Sequence, residues 1–215
     1  GNILSSHYLT LYKINYMTGE GMAMWQGESS LTEAVTDDNG NVYVSYVLAG
    51  ERPCVVLDSD LNYVGNAIDT VGHINRALEV TPSGEDMYIG STWNGHGVTH
   101  WNSTVPGVIQ HEFSDTFAVD YDVDACWAGS AMGADSAYVA WCEDDTNFAQ
   151  TALWASSLDF SPEGHLLVGA LTAGWGGPYG GTYWMFDVNE SGEGPFAQVG
   201  NWHDWEGTGE GVTDG

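Results

Sequence analysis

The chain has 215 residues, 43% of them hydrophobic, which suits one folded domain with a sizeable core and excludes a disordered chain. Its 30 acidic residues face only three basic ones, Lys13, Arg52 and Arg76, so the formal charge is −27. This balance argues against nucleic acid as a partner and against an anionic membrane surface, because both are bound through Lys and Arg.

The excess of acidic residues also indicates a medium that contains salt or multivalent cations. So many like charges repel one another unless salt screens them or cations neutralise them. We therefore expect a secreted protein from a saline, marine or halophilic setting, extracellular or at the cell surface; the alternative is a surface whose acidity serves only solubility. No apolar run of about 18 residues predicts a transmembrane helix, so membrane insertion is not expected. The start at Gly1 fits a domain processed or excised from a larger polypeptide or assembly.

A hairpin motif recurs along the chain as a strand, a Gly-containing turn and a second strand rich in β-formers. Its copies are Val35–Val44, Val80–Ile89, a worn copy at Met132–Val139, and Phe160–Val168. A further strand accompanies the hairpins at Leu9–Asn15, Cys54–Asp58, Gly97–Asn102 and Thr182–Asn189, and a turn and a fourth strand follow. Four strands recurring about every 40 to 50 residues predict an all-β propeller of four-stranded antiparallel blades.

The repeat predicts one propeller domain over residues 1–215, with blades at about 28–72, 73–123, 124–154 and 155–205. The two ends complete another blade, because Gly211–Gly215 joined to Gly1–Ser6 spells a further hairpin copy, and Glu210–Asp214 repeats Glu33–Asp37. We therefore expect five blades, with residues 1–27 and 206–215 sharing one blade and closing the ring, which protects sheet edges. The alternative is a piece cut from a longer propeller at a repeat boundary.

Two stretches resemble known propeller repeats. They are Tyr12-Lys13-Ile14-Asn15 with Thr18-Gly19-Glu20-Gly21 and Trp25, and Val80-Thr81-Pro82-Ser83-Gly84 with Met87-Tyr88-Ile89-Gly90. They look like blades of the YVTN/NHL/PQQ-like group. The resemblance implies a propeller fold and no particular activity. The quinone-binding residues of PQQ dehydrogenases cannot be placed on this sequence.

The connections into the innermost strands should meet at one mouth of the central channel, and they carry aromatic and histidine side chains. The candidate ligand-binding residues there are Trp25, His73, Arg76, Trp127, Trp154, Trp202, His203 and Trp205. Indole rings with carboxylates nearby suit a sugar, whose C–H faces stack on the rings. The alternative for each Trp is packing between blades. Arg76 either clamps an anionic ligand or neutralises acids on the inner strands.

These observations favour a non-enzymatic, extracellular binding or structural module with a carbohydrate or protein ligand at the channel mouth. The alternative is a glycoside hydrolase or lyase that uses carboxylates of different blades as acid and base. Its candidate catalytic residues are Glu33, Glu79, Asp159 and Glu210. A third possibility is a domain of a larger redox or sensor protein.

Calcium is the one cofactor that the sequence suggests. Oxygen-bearing side chains alternate at Asp187, Asn189 and Ser191 and again at Asp58, Asp60 and Asn62, a spacing that suits a Ca²⁺ loop. The alternative is that these residues simply form β-turns. Cys126 and Cys142 lie on predicted neighbouring strands, where they could form a disulfide.

Overall fold

A computed structural model describes residues 2–47, 52–71, 75–91, 97–103, 105–117, 155–170, 183–189 and 197–199. Within these ranges the regular structure is entirely β, with 15 strands and no helix. The strands are β1 (Asn2–His7), β2 (Thr10–Asn15), β3 (Gly21–Gln26), β4 (Leu31–Thr36), β5 (Val42–Tyr46), β6 (Arg52–Leu57), β7 (Tyr63–Val71), β8 (Asn75–Val80), β9 (Asp86–Ser91), β10 (Val98–Asn102), β11 (Glu112–Phe117), β12 (Ala155–Phe160), β13 (Leu166–Ala170), β14 (Tyr183–Phe186) and β15 (Ala197–Val199).

The strands form four sheets in which chain neighbours are also sheet neighbours. The first sheet holds β1 to β3, the second β4 to β7, the third β8 to β11 and the fourth β12 to β15. This up-and-down order in small antiparallel sheets is that of propeller blades. Residues 1–89 with 100–114 form one compact unit, and residues 90–99 with 115–215 form a second.

The innermost hairpins use one kind of turn. In each, a glycine three residues into the turn donates its N–H back to the carbonyl that begins it: Gly40 to Asp37, Gly84 to Thr81, and Gly164 to Ser161. These glycines have φ values of 84°, 75° and 89°, in the left-handed region that other residues adopt only at a cost. The turn chemistry of the repeat therefore sets where each hairpin reverses.

The two central strands of the second sheet, β5 and β6, are buried on both faces. On β6, Val55 and Leu57 belong to a first apolar cluster, shared with Leu11 of the first sheet. Cys54 and Val56 point the other way into a second apolar cluster, shared with the third sheet. Successive side chains of a strand point to opposite faces, so a strand buried on both sides is a continuous apolar run rather than an alternating one.

The reactivity of Cys54 towards alkylation offers a chemical test of this burial. Its side chain is fully buried, with Sγ 3.8 Å from Sδ of Met87, and burial raises the pKa of its thiol to about 12. Because the thiolate is the reactive form, we expect iodoacetamide at pH 8 to leave Cys54 unmodified in the native protein and to alkylate it in urea. Peptide mass mapping distinguishes the two states. Equal alkylation in both would contradict the packing of β6.

Candidate functional site

The clearest candidate site lies at one end of the second and third sheets. We call it the Arg52 end: the end at which β4, β6 and β8 begin and β5 finishes. Antiparallel pairing of β4 with β5 and of β5 with β6 places these termini together. The third sheet joins them here, because Oγ1 of Thr32 on β4 donates a hydrogen bond to the carbonyl of Asn75 on β8 at 3.1 Å.

Buried polar atoms without partners mark this end. Ser45 is 2% exposed and Asn75 is 3% exposed. Among the residues that the structure describes, Oγ of Ser45, Oδ1 of Asn75 and Nε of Arg52 are buried without a hydrogen bond. Nearly all buried polar groups in proteins are hydrogen-bonded, so three orphaned atoms on adjacent strand ends call for a ligand or solvent partner.

The basic side chains are also unevenly placed. Arg52 begins β6 and Arg76 is the second residue of β8, so both lie at the Arg52 end. Lys13 lies towards the opposite end, where its ammonium contacts the turn after β6 through the carbonyl of Ser59 and, at 3.8 Å, the carboxylate of Asp60. Two of the chain's three cationic side chains, Arg52 and Arg76, therefore lie at the same end of their sheets.

The structure describes one of the tryptophan candidates, Trp25. Trp25 is half-buried, packs against the first apolar cluster and lies over Gly27, where an added Cβ would be 3.1 Å from its ring. The other aromatic and histidine candidates, with two further predicted site residues and the predicted disulfide pair, lie outside the described residues: His73, Trp127, Trp154, Trp202, His203, Trp205, Ser191, Glu210, Cys126 and Cys142.

The described inner-strand acids are engaged with backbone N–H groups. Oε2 of Glu33 accepts the N–H of Leu78 at 2.8 Å, across the second and third sheets. Glu79 and Asp159 each accept the N–H of the next residue in the chain, at 2.9 and 2.8 Å. Arg76, expected as a possible neutraliser of these acids, is exposed, and among the described residues it makes no ion pair.

The fold changes the ionisation of Glu33. Burial raises its pKa above the ordinary 4.5, and the hydrogen bond from Leu78 only partly opposes this. The folded protein thus holds the Glu33 proton more tightly than the unfolded chain does. The resulting loss of stability develops as the pH rises from about 4.5 through the raised pKa of the folded state.

Replacing Glu33 by Gln should therefore raise the free energy of unfolding at pH 7, because the amide keeps an oxygen for the Leu78 N–H and carries no charge to desolvate. The gain should shrink towards zero below pH 4. Exposed Glu85, replaced by Gln, is the control for removing one charge from an acidic protein. Urea unfolding at pH 7 and pH 4 measures both variants, and equal gains at pH 7 would contradict a cost specific to Glu33.

The described calcium candidates behave as turn residues. Oδ1 of Asp58 accepts the N–H groups of Asp60 and Asn62, and these bonds with the Asn62 side chain lower the pKa of Asp58. Lys13 already provides a cation at this turn. Asp187 likewise accepts from Asn189, which lowers the pKa of Asp187. The described residues contain no cluster of three or more His, Cys, Asp or Glu side chains suited to a metal ion.

Sequence reasoning missed Ser45 and Asn75. A single polar residue inside the apolar run Tyr43-Val44-Ser45-Tyr46, and an Asn at the head of β8, were the available signals. Arg52 had a plainer signal, since basic residues are so rare in the chain.

No protein-family model matches the chain, and no curated protein sequence matches it. Among solved structures, it is similar to the hydrazine synthase of Kuenenia stuttgartiensis, with a TM-score of 0.56 and 9% identity over 88% of this chain. The dihydro-heme d1 dehydrogenase NirN in complex with DHE gives a TM-score of 0.49 and 14% identity over 92% of this chain. The chain spans 42% and 33% of the lengths of those proteins, both of which contain β-propellers.

No described helix is long and apolar enough to cross a membrane. The strand order and the likeness to hydrazine synthase together show a β-propeller fold.

Proposed function

We propose that this protein is an extracellular, non-enzymatic binding module that holds a carbohydrate at the Arg52 end. The observation that carries the proposal is the pair of buried, unpartnered oxygens of Ser45 and Asn75 on adjacent sheets. A buried polar atom left unpaired costs about 1 to 3 kcal/mol, and a ligand hydroxyl would recover that cost. Sugar hydroxyls both donate and accept, so they suit a serine hydroxyl and an amide oxygen alike.

The experiment is a glycan array followed by titration of the best saccharide against variants. Ser45→Ala removes an oxygen that makes no hydrogen bond in the fold, so the variant should fold normally and bind about tenfold more weakly. Ser83→Ala, in an exposed turn away from the Arg52 end, is the matched control and should bind as the parent does. Failure of every saccharide to bind would refute the proposal and favour a structural role or a protein ligand.

We further propose that the propeller has five blades and closes through its two ends. Among the described residues β1 pairs only with β2, and the first sheet has three strands where the others have four. In the second sheet Thr36 pairs with Val42, and Val35 pairs with Tyr43. Carrying that register onto the matching sequence at the two ends pairs Thr213 with Ile3 and Val212 with Leu4.

Paired cysteines test the closure. Thr213→Cys with Ile3→Cys should form a disulfide under mild oxidation, because directly opposed residues on paired strands come within disulfide range. Thr213→Cys with Leu4→Cys, one residue out of register, should form it far less. Mass mapping identifies the crosslinked peptides. Equal yields from the two pairs, or a crosslink between molecules only, would refute closure in this register.

A glycoside hydrolase remains the second candidate, and one observation favours it. The general acid of such an enzyme must be protonated before it reacts, and a raised pKa favours the protonated carboxyl group. Burial raises the pKa of Glu33 in this way. Release of nitrophenol from 4-nitrophenyl glycosides, abolished in Glu33→Gln and retained in Glu85→Gln, would establish it. Binding without turnover supports the binding module instead.

A further inference from the structure

The burial of Arg52 costs free energy, because one of its N–H groups has lost water without gaining a hydrogen bond in the protein. The residue is half-buried and its Nε–H is buried without a hydrogen-bond partner. The ion pairs among the described residues are Lys13 with Asp60 and His100 with Asp86, so Arg52 has no carboxylate partner there. In a chain with 30 acids and three basic residues, an arginine without a carboxylate is unexpected.

The geometry of the guanidinium group indicates which ligand group would pair with Arg52. Nε–H and a neighbouring Nη–H form an edge that matches the two oxygens of a carboxylate, and such charge-assisted pairs are the strongest hydrogen bonds in proteins. Ser45 on the adjacent strand β5 offers a hydroxyl, and Asn75 at the head of β8 offers an amide oxygen. A carboxylate and at least two hydroxyl groups on one small molecule would satisfy all three.

We propose that the ligand of the Arg52 end is a saccharide carrying a single carboxylate, such as a hexuronic acid, with its carboxylate on Arg52 and its hydroxyls on Ser45 and Asn75. This inference rests on the proposed carbohydrate-binding function. The formal charge of −27 favours one carboxylate over a polyanion, because each additional charge meets the repulsion of the remaining surface. Exposed Arg76 adds a second positive charge at the same end and favours the approach of an anionic sugar.

The test compares 4-nitrophenyl β-D-glucuronide with 4-nitrophenyl β-D-glucoside, and the matching galacturonide with galactoside. Within each pair the sugars differ only in a carboxylate in place of a hydroxymethyl group. Isothermal titration should give about tenfold tighter binding of the uronide. Arg52→Gln should reduce this preference to nearly one, and Arg52→Lys should leave only part of it, because an ammonium cannot form the two-point contact.

Lys13→Gln is the matched control, since it removes one positive charge at the opposite end and should leave the preference unchanged. Equal binding of uronide and neutral glycoside would overturn this inference while the carbohydrate-binding function stands. A preference that survives Arg52→Gln would overturn the role given to Arg52. If a wider glycan array also shows no binding, the proposed function fails with the inference.

Discussion

Replacing Gly84 by Ala should lower the free energy of unfolding by about 3 kcal/mol. Gly84 has φ +75°, and an added Cβ would lie 2.5 Å from Oδ2 of Asp37 and 3.0 Å from the hydroxyl of Tyr43. The left-handed conformation alone costs a non-glycine residue about 1 to 2 kcal/mol. The rest comes from Asp37, which is buried and would have to move.

Asp37 is held by bonds that such a movement would break. Its Oδ1 accepts the N–H of Asn41 at 2.9 Å, and its Oδ2 accepts Nδ2 of Asn41 at 2.7 Å and the hydroxyl of Tyr43 at 3.3 Å. Each such bond contributes roughly 0.5 to 1.5 kcal/mol, more where a charge takes part. The turn that begins at Asp37 therefore leaves space for a glycine at position 84 and for no larger residue.

Gly107→Ala is the control for the backbone cost. Gly107 has φ +79°, close to that of Gly84, but nothing lies within 4 Å of an added Cβ. Its replacement should cost only about 1 to 2 kcal/mol. Urea unfolding of both variants isolates the contact with Asp37, and equal losses would show that Asp37 yields without cost.

Replacing Leu11 by Ala should lower the free energy of unfolding by about 3 kcal/mol, within the usual span for a buried leucine. Leu11 on β2 is fully buried and joins the first sheet to the first apolar cluster of the second. Removing its isobutyl group takes away apolar burial and leaves a cavity between packed sheets, which collapse only partly into it.

Val64→Ala provides the comparison for an exposed apolar side chain. Val64 lies on β7 of the second sheet and is 49% exposed, so its truncation should change stability by no more than about 0.5 kcal/mol. Denaturant unfolding measures both variants. If the two changes were equal, the first sheet would not depend on its packing against the second.

Much of the fold was predictable because its signals are local. The hairpins at Val35–Val44, Val80–Ile89 and Phe160–Val168 follow from alternating strands around glycine turns, and β4–β5, β8–β9 and β12–β13 form there. The first two copies differ in one detail that their equal length hides. The turn from Asp37 to Asn41 is one residue shorter than the turn from Thr81 to Asp86, because Glu85 is inserted after the glycine that lies three residues into each turn.

The contacts between sheets could not be predicted in this way. Asp37 and Gly84 belong to different hairpins and meet only because the sheets stack, a relation that neither periodicity nor turn chemistry encodes. Arg76 is a second example of a residue whose contacts could not be predicted from the sequence. Its charge suggested either a clamp for an anionic ligand or a neutraliser of acids on the inner strands, whereas one of those acids, Glu33, accepts the N–H of Leu78, whose position depends on sheet packing.

The sequence and the structure mark the candidate site by different residues. The sequence placed it at the connections into the inner strands and chose tryptophans as its markers. In the structure Trp25 packs against the first apolar cluster, and Ser45 and Asn75 carry buried side-chain oxygens without a hydrogen bond. A missing hydrogen bond is a property of three-dimensional surroundings and leaves no pattern in a sequence.

The burial of β5 and β6 on both faces has a consequence for motion. Strands β5 and β6 are hydrogen-bonded along both edges and covered by an apolar cluster on each side. Opening them enough to admit water disrupts both clusters at once, so their amide protons should exchange with deuterium only through the largest openings of this unit. Amides of β3, at the edge of the described first sheet, should exchange far sooner.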